Sequence, residues 1–212
     1  MHLIPDSSIV LFFITSLAII LTPGQDMILV MSRSIAQGSK AGVVTAAGIS
    51  TGLLGHTLLA AFGLGAILQT SEVLFTGLKM LGAAYLVYLG IKMFKASPVN
   101  FLVAPQSTPS LQSLFFQGVI ANLSNPKIAI FYFAYLPQFV ALDAENPTET
   151  IVVLGALFGL LTFLIKGPIG YGAGTLSGWL RARPMTQQWL NRISGTVLIG
   201  LGIRLAFESR TG

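Results

Sequence analysis

Apolar and polar positions alternate along this chain at the scale of whole helices. Six apolar runs of membrane-spanning length, at residues 9–31, 42–68, 73–93, 114–140, 151–171 and 190–207, are separated by short polar connections. About 20 apolar residues cross a hydrocarbon core as a helix, so each run is expected to be a span, the last being the shortest. Two runs are interrupted. The first carries Leu21-Thr22-Pro23-Gly24-Gln25-Asp26 and the fourth Asn122-Leu123-Ser124-Asn125-Pro126-Lys127. Proline removes a backbone donor and clashes with the preceding turn, and glycine allows close backbone approach, so both spans should break there. Broken backbone at membrane depth survives only against protein or a water-filled cavity. Of the connections, 95–113 reads as a loop between two halves, with Pro98, Pro105 and Pro109, and 142–150 is short and acidic. The stretch 176–189, with Trp179, Arg181, Arg183 and Trp189, is expected to lie at the membrane interface.

Composition agrees with the pattern. Of 212 residues, 53% are hydrophobic and 9% charged, against about 25% charged in soluble domains. The reading is an all-α integral membrane protein. A net charge of +5 would suggest nucleic acid as a partner of a soluble protein; here the basic residues gather at span ends, so no nucleic acid is implied. Connections after spans one, three and five hold Arg33, Lys40, Lys92, Lys95, Arg181 and Arg183, with Arg192 opening span six. The opposite side holds Asp6, Glu72, Asp143, Glu145, Glu149 and Glu208 with Arg204 and Arg210. By the positive-inside rule both termini are expected outside the cytoplasm. The chain has no cysteine, which excludes disulfides and thiolate metal sites. Met1-His2-Leu3-Ile4-Pro5-Asp6 lacks the basic segment of a signal peptide, so the first span is expected to be kept.

Five polar groups remain at membrane depth: Asp26, His56, Lys79, Lys127 and Lys166. Lys79 and Lys166 fall near predicted span ends, where a long stem can carry the ammonium to the interface. Asp26, His56 and Lys127 have no such exit and become functional candidates. A repeat organises them. Span three reads Lys79-Met80-Leu81-Gly82 and then Leu89-Gly90-Ile91-Lys92; span six reads Arg192-Ile193-Ser194-Gly195 and then Leu201-Gly202-Ile203-Arg204. Pro23 and Pro126 lie 103 positions apart, close to half the chain. The expected layout is one membrane domain, 1–212, made of an inverted repeat 1–94, a loop 95–113 and a second repeat 114–212. Paired helix breaks in inverted repeats mark the binding site of a secondary transporter.

These residues resemble the LysE/RhtB family of bacterial amino-acid exporters. The likeness rests on the Pro23-Gly24 motif, the run Gly48, Gly52, His56, and Leu-Gly-Ile-Lys closing span three. Its most specific part is Asn125-Pro126-Lys127 followed by Phe131, Tyr132, Leu136, Pro137, Gln138 and Phe139. The resemblance implies a six-span protein of the bacterial inner membrane that expels amino acids or their relatives using the proton-motive force. Where the family has Pro-Gly-Pro and a small polar residue, this chain has Pro23-Gly24-Gln25-Asp26. Gln25 restores a backbone donor and adds a side-chain donor and acceptor.

The expected substrate site comprises Thr22, Pro23, Gly24, Gln25 and Asp26 from the first break, and Asn122, Asn125, Pro126 and Lys127 from the second. Tyr85, Phe131 and Tyr132 would form its wall. A zwitterion needs a partner at each end. Its carboxylate is expected at Lys127 and the backbone donors after Pro126, and its amine toward Asp26 and the carbonyls near Thr22 and Pro23. Asp26 and His56 are the candidates for proton coupling; the competing reading pairs Asp26 with Lys127 as structural glue. No resident cofactor or metal is expected, and a homo-oligomer is left open. The rivals are a membrane serine protease, a channel or passive scaffold, and a divalent-metal exporter. A channel would show rings of like charge or a carbonyl filter, and a scaffold would not require two proline-broken polar patches. Gly48-Ile49-Ser50-Thr51-Gly52 with His56 resembles a serine-protease motif, but residues six apart on a helix point about 120° apart. A divalent-metal exporter using Asp26, His56, Asn122 and Asn125 would have few anionic ligands and a repelling Lys127. No catalytic residue is assigned.

Overall fold

The computed structural model describes residues 6–70, 72–96, 109–140, 146–181 and 184–207. Helix α1 (Asp6–Leu21) stops before Pro23, and α2 (Gln25–Gln37) starts after Gly24 at an angle of 52° to it. The expected first break is therefore present, with Gly24 extended at φ −176°. α3 (Ser39–Thr70) and α4 (Glu72–Phe94) follow. α5 (Leu111–Leu123) opens on Ser110, whose side chain accepts from the Ser113 N–H, and ends at Ser124. Asn125 then caps α6 (Pro126–Ile130), with Pro126 in the first turn, where its missing N–H costs nothing. The chain continues as a π-helical turn, Phe131–Tyr135, and a 3-10 turn, Leu136–Phe139. α7 (Pro147–Arg181) and α8 (Pro184–Phe207) complete the bundle.

This is an all-helical integral membrane protein. Ser39–Gly63, Thr76–Phe94, Pro147–Ala173 and Gln188–Phe207 are each long and apolar enough to cross a membrane, and α1 with α2 makes a bent fifth segment. The region expected as span four is instead a 13-residue helix followed by short pieces. At 1.5 Å per residue, α5 alone reaches only about 20 Å. The stretch expected at the interface is helical up to Arg181 and again from Pro184. Residues 97–108 of the loop and 141–145 at the acidic connection lie outside the described residues, as do both chain ends.

Small residues set the packing, because without a hydrophobic force between helices close backbone approach decides association. A methyl group on Gly48 of α3 would strike the Phe115 carbonyl of α5, and one on Gly118 of α5 would come 2.5 Å from the Thr45 carbonyl of α3. Gly52 and Gly55 press on Val119, Asn122 and Leu123 in the same seam, which makes this glycine row a helix-packing face. Two crossings are reciprocal: Gly42 of α3 against Gly170 of α7, and Gly90 of α4 against Gly195 of α8. The irregular turns after α6 carry the largest buried rings. Phe131 stacks on Phe158 at 4.4 Å, Tyr135 stacks on Phe131, and Phe139 packs edge-on against Phe12.

Candidate functional site

The two breaks meet. Gln25 Nε2 donates to the Ala121 carbonyl at 3.2 Å, and Lys127 Nζ donates to the Ile19 and Thr22 carbonyls, both at 3.3 Å. Those carbonyls end α1, where a helix leaves acceptors without partners. Lys127 thus fastens the second break onto the first.

Asp26 sits behind this contact, 3% exposed. Its carboxylate accepts from Asn125 Nδ2 at 2.8 Å, from Asn122 Nδ2 at 3.0 Å and from Lys166 Nζ at 3.0 Å. Lys166 is as buried as Asp26. The expectation that Lys166 reaches an interface is therefore wrong. α7 continues past the predicted span end to Arg181, which leaves Lys166 within the bundle. The glue reading is half right: Asp26 is held by a lysine, but by Lys166 and not Lys127. With both lysines charged, Asp26, Lys166 and Lys127 carry a net single positive charge. Lys127 has backbone carbonyls for partners and no carboxylate.

A cavity of about 420 Å³ opens between the breaks and the α4–α8 pair. Of the expected residues, Thr22, Pro23, Gly24, Gln25, Asn125, Pro126, Lys127 and Tyr85 line it. Asp26, Asn122, His56, Phe131 and Tyr132 do not. Phe131 and Tyr132 are fully buried in the aromatic core, and Tyr132 Oη donates to the Gly155 carbonyl. His56 stacks on Tyr132 and places Nε2 3.1 Å from the Asn122 carbonyl. A carbonyl only accepts, so Nε2 carries the hydrogen. His56 thus reaches Asp26 only through Asn122.

Lining residues that the sequence reading did not place in the site are Ile28, Leu89, Lys92, Met93, Ala96, Asn191 and Leu198. Leu89 and Lys92 belong to the Leu-Gly-Ile-Lys motif, and Asn191 precedes the matching Arg192. The anion site also moves. After the second break the Lys127 N–H bonds Asn125 Oδ1, and the Ile128 and Ala129 N–H groups bond the Asn125 carbonyl. Those donors are used. The α2 N-terminus, by contrast, has no side-chain cap, and a methyl group on Gly24 would come 3.5 Å from Lys127 Nζ. Ammonium and uncapped helix end therefore face one spot beside the cavity, an arrangement that favours an anion.

Around Asp26 the neighbours are all donors, an ammonium and two amide NH₂ groups, which is the wrong chemistry for a metal ion. Among the described residues no three His, Asp or Glu side chains converge. Ser50 and His56 lie on one continuous helix, α3, and His56 turns to Asn122.

A helical membrane bundle with a solute-sized, cation-bearing cavity between two broken helices defines a translocator. The comparisons agree: residues 17–209 match the LysE type translocator family, and the chain belongs to it. It is 33% identical over 194 residues to the uncharacterized membrane protein YrhP of Bacillus subtilis, covering 87% of this chain and 91% of that protein. It is 32% identical to a homoserine/homoserine lactone efflux protein of Salmonella typhimurium, over 92% of this chain and 94% of that one. A leucine efflux protein of an Enterobacter species is 28% identical, over 89% and 90% of the two chains. No solved structure matches.

Proposed function

We propose that this protein is a secondary transporter that exports amino acids or close derivatives across the bacterial inner membrane. The observation that carries the reading is Lys127, a cation at membrane depth that lines the cavity and, among the described residues, has only carbonyl partners for its ammonium. A substrate carboxylate would supply the missing counter-charge, held between Lys127 and the α2 N-terminus at Gly24 and Gln25. The substrate amine goes to carbonyls at the α1 end and not to Asp26, which does not line the cavity and already accepts three hydrogen bonds. Relatives named for efflux of homoserine, homoserine lactone and leucine support the substrate class.

The export is driven by the proton-motive force, with Asp26 as the titrating group. The architecture is six spans in two inverted halves, both termini outside the cytoplasm. Support for the halves is that each segment touches its counterpart: break against break, Gly42 against Gly170, Gly90 against Gly195.

The deciding experiment is binding to purified protein, comparing leucine and threonine with their methyl esters. Lys127→Gln should weaken binding of the free amino acids at least tenfold more than that of the esters. Equal loss for acid and ester would remove Lys127 from the carboxylate site.

A further inference from the structure

The α4–α8 wall of the cavity carries a polar side chain with no partner among the described residues. Asn191, two turns into α8, is 7% exposed and lines the cavity, and no described residue hydrogen-bonds to its amide. The same wall has the apolar Leu89 and Met93 of α4 and Leu198 of α8, with the Tyr85 hydroxyl and the Lys92 ammonium as its other polar tips. An amide has two N–H donors and a carbonyl acceptor to satisfy. Nearly all buried polar groups are satisfied, so this amide, which reaches the cavity, is completed there by water or by a solute. An aliphatic residue would fit this wall without needing either, so the amide is placed to be completed by what enters the cavity.

Charge narrows what that is. Among the described residues no Asp or Glu lines the cavity, so a cationic substrate side chain would find no counter-charge from them. Lys92 lines it as well, but it is exposed at the end of α4, where solvent screens it. A purely aliphatic substrate side chain would fill the wall and leave Asn191 unpaired. A hydroxyl or carbonyl on a short aliphatic chain would satisfy it. Sites built to hydrogen-bond a substrate group reject the analogue that lacks it far more strongly than an apolar pocket rejects a change of one methylene.

We infer that Asn191 is a specificity-determining residue that reads the far end of the substrate. It selects amino acids with a neutral hydrogen-bonding group on a short side chain over their aliphatic isosteres. This rests on the carboxylate site at Lys127 described above.

The test uses isosteric pairs on the purified full chain: homoserine against norvaline, and threonine against valine. Wild type should bind the hydroxyl member of at least one pair tenfold or more tighter. Asn191→Leu should reduce that preference to within about twofold, mainly by gaining affinity for the aliphatic member. If the leucine variant does not yield folded protein, Asn191→Asp decides: it should acquire binding of 2,4-diaminobutyrate, whose ammonium stands where homoserine has its hydroxyl. Equal affinity of wild type for both members of each pair overturns the inference. So does an unchanged preference in Asn191→Leu, absence of diaminobutyrate binding by Asn191→Asp, or tighter wild-type binding of glutamate than of homoserine. A wild type that binds the amino acids without this preference defeats only the role of Asn191; one that binds none of them defeats the exporter reading itself.

Discussion

Asp26 and Lys166 are each 3% exposed and 3.0 Å apart, so neither charge has water to fall back on. Removing one partner of a buried pair leaves the other uncompensated, which costs about 3–5 kcal/mol, whereas removing both together is often close to neutral. Lys166→Met should therefore lower the stability of detergent-solubilised protein by that amount. Adding Asp26→Asn should restore most of it, and the chemical or thermal unfolding midpoints of the three variants measure this. Additive losses would mean that the two side chains act independently. Sequence reading found Asp26, the two asparagines and Lys127, because polar residues at membrane depth stand out against apolar neighbours. It missed Lys166 for a physical reason: an apolar run locates a span's centre well and its end poorly, and five residues decide whether a lysine can reach water.

Glycine positions decide how the helices approach. On Gly118 any side chain would meet backbone, the Thr45 carbonyl at 2.5 Å and the Ile49 nitrogen at 3.0 Å, so α3 and α5 would have to separate. Overpacking of this kind costs about 1–3 kcal/mol or more. Gly118→Val should sharply reduce the yield of monodisperse protein. Gly200, with nothing within 4 Å of its Cβ position, should accept alanine with a gain of about 0.5–1 kcal/mol. Size-exclusion profiles and melting temperatures of the two variants make the comparison; equal behaviour would show that the α3–α5 seam does not set the packing. The glycine spacing of this seam was legible in the sequence. Its partner was not, since spacing on one helix does not say which other helix it meets.

Across the whole molecule, the carboxylate of Asp26 joins α2 to the break between α5 and α6, and to α7. Its protonation would weaken three contacts at once, which is the kind of change that can bias a bundle between two arrangements. In the proposed cycle a proton moving inward occupies Asp26 after the substrate has left. Asp26→Asn keeps an oxygen for Lys166 but cannot exchange a proton. In proteoliposomes it should lose export driven by a pH gradient while retaining exchange of labelled for unlabelled substrate. Undiminished pH-driven export by this variant would exclude Asp26 from coupling.

The sequence by itself determined the class of the molecule, the places where two helices break and the polar residues gathered there. These follow from local physics: apolar length sets a membrane helix, proline and glycine interrupt it, and a charge at depth needs a reason. The same reading placed eight of the fifteen cavity-lining positions in the site, Lys127 among them. Only the tertiary structure decided the partners. It gave Asp26 to Lys166, turned His56 toward Asn122 and sent Phe131 and Tyr132 into the aromatic core. It also brought Asn191 to the cavity wall. Partner choice depends on helix rotation and on the π-helical turn after α6, and no pattern within a single segment fixes either.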